Sequence, residues 1–545
     1  MHKLKRNGYI QGAFVATFGI VFSKILGMIY VIPFYSIIGE QGGALYGYAY
    51  NIYSIFLGIS TAGIPLAISK IISEYDTLGN QEAKEKTFKV AKRILSVIGI
   101  ICFLIMMIFT DNIAYMIIGN IDGGNTYQDI AYVIRVISLS ILIVPLLSVY
   151  RGYLQGHRIM TPTSISQVLE QIIRVSIIIG GSFLAKSLFH LSLKETVSIA
   201  LFGATFGALI SLIYLRIKVR FHRKELVCKD KAKKQNVDIS SKAIAGQILI
   251  YAFPFIFSDV CKSLYNSVDT FFVVKTLVSS LGYTAMAAES IMSVISTWGN
   301  KLNMIVIAIG TGFMSSLIPN LTASIVKKDK KDIDDKINRT FKILIFITLP
   351  MAAGLSFLSV PVWNIFYGSS AYGPSVFAFS IFTAFVTVLL STSTTILLTM
   401  REYKTLFISL GVGLVINAVC DVPAMFMFDA LHLPAYYGAT FSTILGNVTS
   451  VLIVISFLHN KYEINFKDTM VSFVKVVFSV CLMLLVLEGL AFIIPLNVSS
   501  RILSCGVTIV YAVVGLLIYY VITHYLGLFQ DILGDNIIKN RLKRR

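Results

Sequence analysis

The chain has 545 residues, of which 56% are hydrophobic and 14% charged, with mean hydropathy +0.77 and a formal net charge of +19. A soluble domain carries about 25% charged residues, so this composition excludes a water-soluble fold. Long apolar runs in place of short alternating segments also exclude a β-barrel and leave an all-α integral membrane protein.

The N-terminal stretch MHKLKRNGYIQGAFVATFGIVFSKILG opens like a signal peptide, but Lys24 interrupts its apolar run and no small-residue cleavage site follows. It reads as an uncleaved first span. Fourteen candidate spans follow in order, near 10–33, 47–72, 94–110, 130–150, 164–184, 196–215, 247–275, 288–318, 341–360, 376–398, 406–428, 437–458, 473–494 and 501–523. The tail after them, HYLGLFQDILGDNIIKNRLKRR, reads as an amphipathic interfacial helix ending in a basic cluster. The six cysteines are scattered without a CxxC pair, so neither a disulfide framework nor a zinc site is indicated.

Of the 47 lysines and arginines, 35 fall in the N-terminus, the tail and the loops after even-numbered spans, whereas the loops after odd-numbered spans hold only Lys186 and Lys194. That asymmetry predicts both termini in the cytoplasm. The positive charge is therefore a topology signal and not a nucleic-acid footprint. The densest run, RIKVRFHRKELVCKDKAKK, is expected to be a solvated cytoplasmic linker.

The linker divides two similar halves. Leu146–Val175 aligns with Leu389–Ala418 at a constant offset of 243, so that Arg158 meets Arg401, Ser166 meets Ser409 and Arg174 meets Asn417. The expected architecture is two pseudo-symmetric six-helix lobes plus two C-terminal helices. It comprises a first lobe over 1–215, the linker over 216–245, a second lobe over 246–460, two further spans over 461–523 and the tail over 524–545.

Charges inside a bilayer cost about 2.5–3.5 kcal/mol each on insertion scales, so they need partners or a hydrated cavity. Span 7 carries Asp259, Lys262, Asn266 and Asp269 at i, i+3, i+7 and i+10, on one helical face. Glu170 and Arg174 in span 5 stand at i, i+4, which suits an intrahelical ion pair, although Gln167 extends the same face. Asp259 and Lys262 have the spacing to pair with each other. Lys70 sits where it can snorkel, Lys301 can do so or lie in a non-spanning part of its helix, and Lys24 has no acidic neighbour within a turn. The candidate substrate-binding set is Lys24, Arg174, Glu170, Asp259, Lys262 and Lys301, lining an aqueous chamber between the lobes. Asp269, Asn417 and Asp421 offer hard oxygen ligands for a small cation or, equally, a buried polar cluster. No phosphate loop, HExxH or Ser/His/Asp set is present, so a transporter is expected and not an enzyme.

FSKILGMIYVIPF, GGALYGYAYNIYSIFLGISTAGIPLAISKIISEY and RGYLQGHRIMTPTSISQVLEQIIRV resemble the polysaccharide-flippase branch of the multidrug/oligosaccharidyl-lipid/polysaccharide (MOP) exporter superfamily. More narrowly they resemble Gram-positive lipid II flippases of the MurJ type and stage V sporulation protein B. The resemblance implies export of an undecaprenyl-diphosphate-linked sugar precursor by alternating access, with the headgroup in a cationic cavity. It places Lys24 of SKILG at the family's basic position. It also implies sodium as coupling ion, matching Asp269, Asn417, Asp421 and Thr443 of GATFST to a sodium site between spans 7, 11 and 12. The Gram-negative members' other cavity arginines are replaced here by Tyr30, by the FLGIS stretch and by Glu289 or Ser290, so Lys262 and Arg174 are the expected substitutes.

The expected partners are a lipid II-type substrate, membrane lipids and cell-wall synthesis proteins, around a monomer. Alternative cargoes are another lipid-linked polysaccharide or a spore cortex precursor. A cation-coupled multidrug exporter of the same fold would want an acidic, aromatic cavity, whereas this candidate set leans basic. A glycosyltransferase would need large outer loops with catalytic carboxylates; those here are short and nearly uncharged.

Overall fold

The computed structural model describes residues 22–23, 26–222, 226, 239–327, 329–498 and 500–533, which form helices and loops with no strand among them. In a bilayer every backbone N–H and C=O must be satisfied within the chain, and helices do this without partners. Twelve described helices are long and apolar enough to cross a membrane, so the chain is a multi-pass membrane protein. We label them α1 (Val31–Thr61) and α2 (Ile64–Thr77), which together form one such span, then α3 (Gln81–Ile108), α4 (Tyr127–Gly156), α5 (Thr161–Leu188), α6 (Leu193–Phe221) and α7 (Ser241–Ser279). An eighth helix, α8 (285–327), carries a π-turn over Val294–Trp298 and corresponds to expected span 8. Then follow α9 (Lys330–Phe357), α10 (Gly373–Met400), α11 (Tyr403–Ala430), α12 (Tyr436–Tyr462), α13 (Lys467–Ala491) and α14 (Arg501–Tyr525). Most of expected span 1 lies outside the described residues, as do half of the linker and the basic end of the tail.

Helix ends follow the local sequence. Thr126 and Asp129 form a capping box at the start of α4, Ser192 and Glu195 another at α6, and Asn80 Oδ1 accepts the Ala83 N–H at α3. Gly63 joins α1 to α2 at φ +66, and a Cβ there would sit 2.4 Å from Phe255 Cβ, so only glycine fits.

By their contacts the residues fall into two units, Met1–Val278 with Thr284–Glu289, and Ser279–Tyr283 with Ser290–Arg545. Within the first unit α7 packs against α1 and α2. Asn51 Nδ2 donates to Thr270 Oγ1 at 2.8 Å, Tyr75 OH donates to Gln247 at 3.4 Å, and Lys70 Nζ stands 3.7 Å over the Tyr251 ring. Lys70 therefore spends its charge on an aromatic face. Lys84, which the hydropathy pattern leaves between spans 2 and 3, is fully buried and donates to Asp76 at 2.8 Å and to the Leu226 carbonyl at 2.9 Å.

The internal repeat is written into equivalent hydrogen bonds within each unit. Arg158 and Arg401 both take φ 60 at the turn between paired helices. Ser211 Oγ on α6 donates to the Ser166 carbonyl on α5 at 2.9 Å, and Ser450 Oγ on α12 donates to the Ser409 carbonyl on α11 at 2.8 Å. A Cβ on Gly207 would meet the Glu170 carbonyl at 2.6 Å, and one on Gly446 would meet the Gly413 carbonyl at 2.5 Å. Small residues let backbones approach in this way where lipid offers no hydrophobic drive between helices.

Gly438 marks the tightest of these approaches, since a Cβ would stand 2.3 Å from the Met425 backbone nitrogen. Gly438→Val is expected to destabilise the protein by about 1–3 kcal/mol through overpacking. Gly411→Ala on the same helix pair, where no atom lies within 4 Å, should be neutral or slightly stabilising. Thermal unfolding of the purified variants in detergent measures the contrast, and equal midpoints would contradict it.

Candidate functional site

Two polar sites lie inside the helical units. In the first, the Arg151 side chain from α4 and those of Glu170 and Arg174 from consecutive turns of α5 converge. Arg174 Nη2 donates to Glu170 Oε1 at 2.6 Å, and Arg151 Nη2 donates to Glu170 Oε2 at 2.8 Å. Arg151 Nε also donates to Ser166 Oγ at 3.0 Å, which sets the guanidinium plane. All three are partly buried, with side-chain exposures of 15% (Arg151), 13% (Glu170) and 23% (Arg174). Close packing of Gly203 and Gly207 against the α5 backbone at Arg174 and Glu170 fixes the helix that carries two of them. Immediately after Arg174 the helix widens into a π-turn at Ile177–Gly181, a feature often found beside functional positions.

The i, i+4 ion pair read from the sequence is therefore real, but it is two-thirds of the site. Hydropathy alone places Arg151 in the loop after span 4, because it follows an apolar run. In the structure α4 continues through Gly156 and carries Arg151 alongside α5. Two guanidiniums share one carboxylate, so the site keeps a formal charge of +1. Its Arg174 Nε is buried without a hydrogen-bond partner among the described residues. Tyr46, Tyr50 and Tyr53 from α1 lie close enough to interact with the Arg174 charge, and the rings of Tyr46 and Tyr50 stack at 5.8 Å. A part-buried fork of N–H donors with net positive charge is chemistry suited to phosphate oxygens.

The polar face of α7 does not remain one surface. Asp259 and Asn266 are exposed, Lys262 is half-buried and Asp269 is buried at 5% exposure. The ten-residue step from Asp259 to Asp269 spans about 15 Å at helical rise, so each end meets a different environment. Asp259 and Lys262 interact electrostatically, but neither forms a hydrogen bond or ion pair with a described residue. Lys301 is half-buried on α8 in the second unit, and Lys24 lies outside the described residues. Glu289 is fully buried in the first unit and holds the loop before α4. It accepts from the Asn125 N–H at 2.7 Å and from Asn125 Nδ2 at 3.0 Å, while the same amide donates to the Gln41 carbonyl at 3.1 Å.

The second site lies between α11 and α12. Asn417 and Asp421 are one turn apart, both at 0% exposure. Ser442 Oγ lies 3.1 Å from Asn417 Oδ1 and 3.0 Å from Asp421 Oδ1, and Thr443 Oγ1 donates to Asn417 Oδ1 at 3.2 Å. Asp421 Oδ2 is buried with no hydrogen-bond partner among the described residues. An unsatisfied carboxylate oxygen in a dry interior is costly, and a hard cation would satisfy it together with its oxygen neighbours. Three of the four expected oxygen ligands, Asn417, Asp421 and Thr443, thus gather in the second unit, whereas Asp269 belongs to the first. Ser442 was missed. Its sequence signal was the small-residue spacing Gly438, Ser442, Gly446, which turns that face of α12 onto α11. No group of three His, Cys, Asp or Glu gathers among the described residues.

The fold is that of the MOP transporters. The chain superposes on an inward closed lipid II flippase MurJ with TM-score 0.67 at 15% identity, covering 95% of this chain and 100% of that one. It superposes on an inward-facing multidrug resistance MATE transporter with TM-score 0.64 at 14% identity, covering 83% and 98%. In sequence it is 32% identical to the lipid II flippase MurJ of Bacillus subtilis (strain 168) over 97% of each chain, and the polysaccharide biosynthesis protein family model matches residues 9–321. The chain belongs to the polysaccharide biosynthesis protein family, as the motifs around Lys24 and Arg158 led one to expect.

Proposed function

We propose that this protein is a flippase that moves an undecaprenyl-diphosphate-linked peptidoglycan precursor, lipid II, from the inner to the outer leaflet of the plasma membrane by alternating access. The observation that carries this reading is the near full-length 32% identity to a lipid II flippase. The chemistry of the two units supports it. Arg151 and Arg174, held by Glu170, offer charge-assisted donors to a diphosphate, and Lys24, Lys262, Asp259 and Lys301 are the further candidate residues for the headgroup. In the second unit an apolar cavity of about 490 Å³ between α9, α13 and α14, lined by Met351, Leu355, Met483, Leu487, Tyr511 and Leu516 among others, has the character a polyprenyl chain needs.

Transport outward is favoured electrically. A diphosphate of about two negative charges gains roughly 4–5 kcal/mol per 100 mV on leaving a negative-inside cell. Sodium at Asn417, Asp421, Thr443 and Ser442 would bias the return step by binding one state better than the other. The charge asymmetry of the loops supports cytoplasmic termini.

The test is complementation of cells depleted of their own lipid II flippase. Expression is expected to restore growth and the fraction of lipid II open to an externally added cleaving enzyme. Membrane-inserted protein that restores neither would refute the assignment.

A further inference from the structure

We propose that Glu170 is a built-in stand-in for the cargo's diphosphate: its carboxylate occupies Arg151 and Arg174 in the unloaded protein and is displaced by the phosphate oxygens on loading. The inference rests on the flippase reading and specifies how its anion site binds and releases. The geometry is that of a carboxylate holding two forks at once, with one oxygen on Arg174 Nη2 at 2.6 Å and the other on Arg151 Nη2 at 2.8 Å. A carboxylate and a phosphate present the same acceptor spacing to a guanidinium. Glu170 hydrogen-bonds to the two arginines through both of its oxygens, whereas Arg151 is held independently by Ser166 Oγ at 3.0 Å. The arginine is thus positioned without the glutamate. Arg174 Nε meanwhile remains a buried donor that Glu170 does not use, and a diphosphate that displaces the carboxylate brings more acceptor oxygens than it does.

The physical need is release. Two part-buried arginines with no counter-ion would bind a diphosphate tightly and keep it, because removing the anion would leave two uncompensated charges. With Glu170 on a side chain that swings back, the arginines exchange one anion for another, and only the difference in affinity opposes departure. Glu170 is thereby a positioning and release residue of the binding site, and its effect should divide between affinity and turnover.

The experiment measures binding of undecaprenyl diphosphate in nanodiscs and of inorganic pyrophosphate to the purified full chain, alongside lipid II translocation in cells. Glu170→Gln, which keeps the size but loses the charge and one of the two acceptors, is expected to tighten diphosphate binding about tenfold and to slow translocation. Glu170→Asp, which keeps a carboxylate, should restore turnover toward wild type. Tightening with the lipid alone assigns the site to the membrane-anchored ligand, and tightening with both assigns recognition to the diphosphate itself; either supports the exchange. Arg151→Gln supplies a second arm should Glu170→Gln fold poorly: with Glu170 committed to Arg174 alone, diphosphate binding should weaken about tenfold. Unchanged or weaker binding in Glu170→Gln, or unchanged binding in Arg151→Gln, overturns the exchange while leaving the flippase reading intact. Wild-type protein that binds neither probe overturns both.

Discussion

Arg174→Ala is expected to abolish rescue of flippase-depleted cells and to lower lipid II translocation by about 10- to 100-fold. A hydrogen bond to a charged group is worth about 1.5–3 kcal/mol, and each 1.4 kcal/mol is a factor of ten. Removing the guanidinium takes the site from a formal +1 to zero, because Glu170 then neutralises Arg151 alone. Arg174→Lys restores a point charge but not the planar fork, so its activity should fall between the two. Arg135, which pairs with Asp111 at 2.6 Å on the exposed surface, is the control. An exposed pair contributes about 0–1 kcal/mol, so Arg135→Ala should transport normally. Wild-type translocation in Arg174→Ala would remove the first-unit site from the proposal.

Asp421→Asn is expected to erase a sodium-specific stabilisation that the wild-type protein shows. Its Oδ1 accepts from Ser442, but Oδ2 is buried without a partner among the described residues. The amide keeps the shape, so packing between α11 and α12 should survive, while the negative charge that a cation needs is lost. At a sodium concentration ten times its dissociation constant, binding adds about 1.4 kcal/mol to stability. That is a rise of a few degrees in the unfolding midpoint when sodium chloride replaces choline chloride. The variant should show no such difference. A wild-type midpoint indifferent to sodium would refute the cation site, and a sodium response retained by Asp421→Asn would place it elsewhere.

Much of the fold was legible because a bilayer restricts the alternatives. Hydropathy located the spans, and α3 to α14 follow the expected order. The repeat could be read from an offset alone, and the turns at Arg158 and Arg401 and the Ser211–Ser166 and Ser450–Ser409 bonds give it physical form. Pairs within one helix were equally readable. Glu170 with Arg174 and Asn417 with Asp421 are each one turn apart, and helical geometry brings such residues together whatever surrounds them.

Partners from other helices were not readable in this way. Arg151 looked like a loop cation because hydropathy does not say where a helix stops, and nothing local says that α4 lays it beside Glu170. Ser442 was overlooked beside Thr443 because which residues of α12 face α11 depends on how closely Gly438 and Gly446 let the backbones approach. The four polar residues of α7 share one helical face by spacing, yet Asp269 is buried and Asp259 exposed, since burial belongs to the neighbours and not to the helix. Composition and periodicity by themselves determined a membrane protein of repeated helices bearing too many internal charges to be inert. Only the tertiary structure decided which charges meet, because side chains on different helices come together through interhelical register and separation, and those are set by packing.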